Sequence, residues 1–148
     1  MRTMSKSLGL WPSSIRRAAL LVPVLVLGAM GQALAAPDPA QSDFVTLDVA
    51  REALQSGRAV LIDIREPEEH ARGVAPGARL LPMSQLRRRV LEIPVDPAKP
   101  VYLICNSQNR SAATLKALRP QGYGHVRYVE GGMSEWTRRG WTLVKPGL

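Results

Sequence analysis

The only cysteine of the chain, Cys105, stands where a strand-like run ends and a polar loop begins. Residues 101–104 are apolar and β-branched or aromatic, which is typical of a buried strand. The loop 106–110 is polar, and a helix is predicted over Ser111–Leu118. In open α/β sheets, ligands bind at the carboxyl ends of the strands. Cys105 is therefore a candidate nucleophile.

A loop this short is expected to bind an anion. Tight turns between a strand and a helix aim successive backbone N–H groups inward, and the helix adds its own free N–H groups and positive dipole end. Arg110 adds a positive charge with a planar fork of donors. Each of these features favours the thiolate form of Cys105, which is the nucleophilic form. The alternative is that Cys105 is a small core residue at a strand end. The residues predicted to bind the substrate anion are Asn106, Ser107, Gln108, Asn109 and Ser111.

Composition excludes several other kinds of site. The chain has 148 residues and one Cys, which excludes a disulfide framework and a Cys-rich metal site. His70 and His125 are far apart, so a His-based metal centre is not expected, and covalent catalysis by a cysteine needs neither a metal nor an organic cofactor. The formal charge is +8, but the first 35 residues hold four basic residues and no acid; without them it is +4. No pattern indicates nucleic-acid binding.

The first 35 residues have the order of a secretory signal peptide. A polar, positive stretch precedes the apolar run 18–31, and the small-x-small triplet Ala33-Leu34-Ala35 follows. We expect cleavage after Ala35 and a periplasmic protein without stable membrane association. The alternative is an uncleaved anchor, although Pro23 and Gln32 interrupt the apolar run. Residues 36–43 are predicted to be a flexible lead-in, and 44–148 a single domain.

Apolar runs alternate with helical patterns through the rest of the chain. This alternation predicts an α/β domain with a central parallel sheet and helices on both faces. A helix capped by Thr46 or Asp48 is expected to carry Val49, Ala53 and Leu54 on one face. The predicted strands are Phe44–Val45, Ala59–Ile62, Ala78–Leu81, Val101–Ile104 and His125–Val129, and the last helix is Met133–Arg139.

Three motifs together resemble the rhodanese-type sulfurtransferases. CNSQNRS, from Cys105, is similar to the family's active-site loop, which is Cys, four residues, Arg and usually Ser. DIREPEEHARGVAPGARLLP, from Asp63, resembles its first signature, and EGGMSEW, from Glu130, resembles its closing signature. The resemblance covers about Phe44–Gly140. The related phosphatases and arsenate reductases use a wider loop with five residues between Cys and Arg, so the four residues here favour sulfur.

The resemblance implies transfer of a sulfane sulfur through a Cys105 persulfide. The donor is thiosulfate or a persulfide, and the acceptor is cyanide or a thiol; the alternative is a sulfur-relay or protein-binding module that turns over small substrates poorly. The expected partners are small sulfur-containing anions and thiols, with a protein acceptor as a further candidate. Arg110 is expected to stabilise the thiolate. Asp63 and Arg65 end a strand at the same sheet edge and are expected either to orient the loop or Arg110, or to be purely structural.

The chain departs from the family's pattern in three places. The family commonly has Gly-His-Ile where this chain has Gly73-Val74-Ala75. An aromatic residue is common where His70 stands, and Gly is common where Gln108 stands. Because Gly accepts positive φ, Gln108 is expected either to be strained or to offer its side-chain amide to the bound anion.

Overall fold

The computed structural model describes residues 42–146. Its centre is a five-stranded sheet in the order β1-β5-β4-β2-β3, with every neighbouring pair parallel. The strands are β1 Phe44–Val45, β2 Val60–Asp63, β3 Arg79–Leu80, β4 Val101–Ile104 and β5 Val126–Val129. The helices are α1 Leu47–Gln55, α2 Pro67–His70, α3 Met83–Arg89, α4 Asn109–Leu118 and α5 Gly132–Arg138, with 3-10 turns at Val90–Glu92 and Arg119–Gln121.

Strands β2 and β4 form the middle of the sheet and are buried along their whole length. This explains their continuous apolar runs, since both faces of a parallel strand are covered by helices. Asp63 pairs with Ile104 in the register of the two strands. The segments that follow β2 and β4 therefore leave the sheet at the same edge, as the sequence predicted.

Helices cover both faces of the sheet. Along β4, Val101, Leu103 and Cys105 face a core completed by residues of α3 and α4. Tyr102 and Ile104 face the opposite core, which is completed by residues of α1 and α5. The α/β class with a parallel, doubly covered sheet is confirmed, and Cys105 points toward the α4 side.

The observed helices differ from the predicted ones in two informative ways. Helix α4 begins at Asn109 rather than Ser111, so the turn between strand and helix is even shorter than expected. The predicted apolar face of α1 was wrong at Val49, which is 47% exposed. The buried positions of α1 are Leu47, Ala50 and Ala53, whose spacing of three residues places them on one face of the helix, and Thr46 caps its start.

The predicted signal peptide and most of the predicted lead-in lie outside the described residues. Only Ser42 and Asp43 of the lead-in are described. Between residues 42 and 146, none of the helices has both the length and the apolar character needed to cross a bilayer.

Candidate active site

Cys105 follows β4 directly, and its side chain is only 1% exposed. Its Sγ lies 3.4 Å from Oγ of Ser111, in the first turn of α4. The Ser111 hydroxyl is fully buried and donates to the carbonyl oxygen of Gln108 at 3.0 Å. The chain therefore turns back on itself within six residues, and the sulfur lies at the base of the resulting loop.

Helix α5 binds this loop through the backbone carbonyl groups of the loop. The backbone N–H groups of Met133 and Ser134 donate to the carbonyls of Cys105 and Asn106, both at 2.8 Å. The Ser134 hydroxyl also donates to the Asn106 carbonyl, at 2.7 Å. In a trans peptide the N–H points opposite to the C=O, so the N–H groups of Asn106 and Ser107 face away from α5.

These backbone N–H groups are available to bind a ligand. Among residues 42–146, the N–H groups of Asn106, Ser107 and Gln108 donate to no other described group. Backbone N–H groups that are neither buried in secondary structure nor capped are strong anion donors. The arrangement can therefore bind an anion or stabilise negative charge on sulfur.

Gly132 makes this arrangement sterically possible. Its φ is +60°, in the left-handed region that favours glycine. A Cβ at this position would lie 2.5 Å from the carbonyl oxygens of Cys105 and Ser107 and 2.7 Å from that of Asn106. Three carbonyls of the loop therefore converge on Gly132, and a larger residue would displace them.

Gln108 is not strained, and its amide oxygen is bound within the protein, whereas a contact of its amide N–H groups with a bound anion stays a prediction. Its φ is −176°, which is extended backbone open to any residue, so the expected steric cost was wrong. Its Oε1 accepts the N–H of Gly131 at 2.8 Å. Gln108 therefore ties the loop to the start of α5 through its side chain as well.

Arg110 is clamped by Glu69 of helix α2. Nη1 and Nη2 donate to the two carboxylate oxygens of Glu69, each at 2.7 Å. The hydrogen bonds from Arg110 lower the pKa of Glu69 to about 2. The pKa of Arg110 is raised, chiefly by its hydrogen bonds to Glu69. Arg110 is therefore a cation that Glu69 fixes in position at the start of α4.

Asp63 and Arg65 form a separate, buried ion pair. Nε and Nη2 of Arg65 donate to the Asp63 carboxylate at 2.6 to 3.0 Å, and Nη2 also donates to the carbonyl of Gly73 at 2.8 Å. The His70 Nε2 lies 3.4 Å from Asp63 Oδ1, without a hydrogen bond. The hydrogen bonds of Asp63 described within residues 42–146 go to Arg65 and not to Arg110, and a role of the pair in orienting the loop stays a prediction.

The remaining predicted residues lie at the rim of the loop. Asn106, Ser107 and Asn109 are exposed, and Asn109 begins α4. Sequence reasoning missed three contributors to the site: Glu69, Gly132 and Ser134. Glu69 and Gly132 belong to the two flanking motifs, which marked them as notable without showing what they contact. Within residues 42–146, no cluster of three or more His, Cys, Asp or Glu could hold a metal ion.

A family model for the rhodanese-like domain matches residues 46–139. The matched region contains the whole sheet edge described above, from Asp63 to α5. The chain belongs to the rhodanese-like domain family. The order and spacing of its three motifs are therefore those of a rhodanese-like domain, as the sequence indicated.

Curated relatives and solved structures agree with this family. A sulfurtransferase of Allochromatium vinosum is 41% identical over 87 residues, which cover 59% of this chain and 79% of the relative. The uncharacterized protein YqhL of Bacillus subtilis is 43% identical over 79 residues, or 53% of this chain; the match spans 61% of that relative's length. A rhodanese-related protein from Thermoplasma volcanium has a similar structure, with a TM-score of 0.63 at 28% identity, covering 71% of this chain and all of that one. The family and these relatives support sulfurtransferase activity.

Proposed function

We propose that this rhodanese-like domain transfers a sulfane sulfur through a persulfide on Cys105. The observation that carries the proposal is the loop that begins at Cys105: its carbonyls are bound by α5, and its N–H groups are left for an anion. The sulfur lies at the base of this loop, and Arg110 is fixed nearby by Glu69.

In the first step, the Cys105 thiolate attacks the outer sulfur of thiosulfate. The S–S bond of thiosulfate breaks, sulfite leaves with the bonding pair, and Cys105 carries a persulfide. In the second step, cyanide or a thiolate attacks the outer sulfur of the persulfide, and Cys105 leaves as the thiolate. The two steps are a double displacement that needs no external oxidant or reductant. The N–H groups of the loop and Arg110 support the proposal because they can stabilise the negative charge of the thiolate and of the persulfide.

The direct test is mass spectrometry of the intact protein after treatment with thiosulfate. We expect a mass increase of one sulfur atom, lost on addition of cyanide with formation of thiocyanate. Cys105→Ser is the matched control, since it changes a single atom, and it should show neither event. A wild-type protein that gains no sulfur from thiosulfate or from a small persulfide would overturn the proposal.

The same experiment separates an enzyme from a relay module. An enzyme should pass sulfur to cyanide in repeated cycles, with product exceeding protein. A relay module should load one sulfur and release it slowly to small acceptors. The buried position of Cys105 predicts in either case that a compact electrophile alkylates the thiol faster than a bulky one.

We further propose that the reaction takes place in the periplasm. The support is the pattern of residues 1–35, in which a basic stretch, an apolar run and Ala33-Leu34-Ala35 follow in order. The intact mass of the exported protein tests this proposal, and it should correspond to a chain that begins at Ala36 or within a residue or two of it. A full-length mass in the membrane fraction would favour the anchor instead.

A further inference from the structure

A cleft of about 420 Å³ lies beside the active-site loop. One wall comes from the segment after β2 and includes Glu69 and Arg72; another comes from α5 and includes Met133 and Ser134. Asn106, the residue directly after the nucleophile, also lines it. The volume is that of a small-molecule site, and the position is one residue from Cys105.

Arg72 gives the cleft a net positive charge. The other charged residues of its lining are paired: Arg65 with Asp63, and Glu69 with Arg110. Arg72 is exposed, and within residues 42–146 no carboxylate lies at ion-pair distance from its guanidinium. Lys145 adds a second cation close by, since its Nζ donates to the carbonyl of Ala71 at 2.7 Å.

Part of the cleft is apolar. Leu143 is partly exposed and packs closely over Gly73, where an added Cβ would lie 3.0 Å from that of Leu143. The polar group that Ser134 contributes is already used, because its hydroxyl donates to the Asn106 carbonyl. The cleft therefore offers a hydrocarbon surface with a guanidinium at its edge.

We infer that this cleft binds the sulfur acceptor, and that Arg72 selects small thiols that carry a carboxylate on a short hydrocarbon chain. The inference rests on the proposed persulfide chemistry. The acceptor thiolate attacks the outer sulfur of the Cys105 persulfide; the new S–S bond forms on the acceptor, and Cys105 leaves as the thiolate. The carboxylate of the acceptor pairs with Arg72, while its carbon chain lies against Leu143.

The test measures the second step alone. The full protein is loaded with thiosulfate, freed of donor, and mixed with 3-mercaptopropionate, 2-mercaptoethanol or 2-mercaptoethylamine. Loss of the added sulfur from the intact mass gives a rate constant for each thiol. Comparing wild type with Arg72→Gln for the same thiol cancels the differences in nucleophilicity between thiols. We expect the rate constant for 3-mercaptopropionate to fall about fivefold, as expected for a partly exposed ion pair. Those for the neutral thiol and for the amine should stay within about twofold of wild type.

Two further variants sharpen the comparison. Arg72→Lys keeps the charge and should retain most of the preference for 3-mercaptopropionate. Arg88→Gln removes an exposed arginine of α3 outside the cleft and should leave all three transfer rate constants unchanged. Equal effects of Arg72→Gln on all three thiols, or none, would overturn the inference. So would slower loading from thiosulfate with unchanged transfer, because Arg72 would then serve the donor. Failure of the wild type to form a persulfide is a different result, and it would reject the proposed function.

Discussion

Strands β2 and β4 are neighbours that end at the same sheet edge, yet the segments that follow them are stabilised in opposite ways. After β2, the chain is held mainly by side-chain ion pairs, with the buried Asp63–Arg65 pair at their centre. After β4, residues 105–108 are held through their carbonyls by α5, and the N–H groups of residues 106–108 are left open. In the first segment, Arg65 and Glu69 are paired within the protein and Arg72 extends to the cleft, whereas the second segment keeps its backbone donors open.

This difference assigns a separate role to each segment. A buried ion pair that is fully hydrogen-bonded has no capacity left to bind a substrate, so the Asp63–Arg65 pair provides a rigid support. The segment after β2 acts on the other segment through Glu69, which fixes Arg110. The loop after β4 supplies the nucleophile and the donors. The capacity to bind an anion at this sheet edge therefore depends on which backbone groups already have a hydrogen-bond partner within the protein.

The largest effect is expected at the contact between the loop and α5. Gly132→Ala would place a methyl group 2.5 Å from two loop carbonyls, so the loop must move. Because misplacement of reacting groups by about 1 Å can lower a rate about a hundredfold, we expect persulfide formation to fall by that order. The rate of mass gain from thiosulfate measures it.

Gly140→Ala is the matched control for this substitution. Gly140 also has a positive φ, +67°, but no atom lies within 4 Å of its added Cβ. It should lose about 1 kcal/mol of stability from backbone strain and form the persulfide at the wild-type rate. Equal losses of persulfide formation in the two variants would show that backbone strain, and not the carbonyl contact, is responsible.

The next effect concerns the support after β2. Asp63→Asn leaves the Arg65 guanidinium buried without its counter-charge, which should lower the free energy of unfolding by about 3 kcal/mol. Glu69→Gln, in a partly exposed pair, should cost about 1 kcal/mol or less. Urea denaturation of both variants checks this order. A larger loss for Glu69→Gln would contradict the assignment of the buried pair as the rigid support.

A smaller effect is expected at Arg110. Arg110→Lys keeps the charge but loses the planar fork that binds both oxygens of Glu69. We expect kcat/KM for thiosulfate to fall about tenfold, because the cation is then less well fixed at the start of α4. Arg88→Lys, on the surface of α3, is the control. Unchanged kinetics of Arg110→Lys would show that the backbone N–H groups alone hold the anion.

Features set by local pattern were predictable from sequence. The apolar runs predicted the bounds of β2 and β4 to within one residue, and these bounds place Cys105 directly after β4. The partner of Arg110 was not predictable, because Glu69 lies 41 residues away and the contact depends on how α2 leaves the sheet edge. Nor was the conformation of Gln108, whose extended φ is set by its bond to Gly131. The motifs located the site, and the tertiary contacts determined its geometry.

The smallest effect is a pH dependence of stability that separates the two ion pairs. Hydrogen bonds from Arg110 lower the pKa of Glu69 from 4.5 to about 2. A carboxyl group whose pKa is lower in the folded state contributes stability that is fully present above its unfolded pKa and is lost as the pH falls through the folded value. The difference in unfolding free energy between wild type and Glu69→Gln should therefore be constant above about pH 5 and shrink between about pH 4.5 and 2. Urea denaturation across this range measures it. A difference that changed between about pH 6 and 8 instead would mean that the effect does not come from the Glu69 carboxyl group.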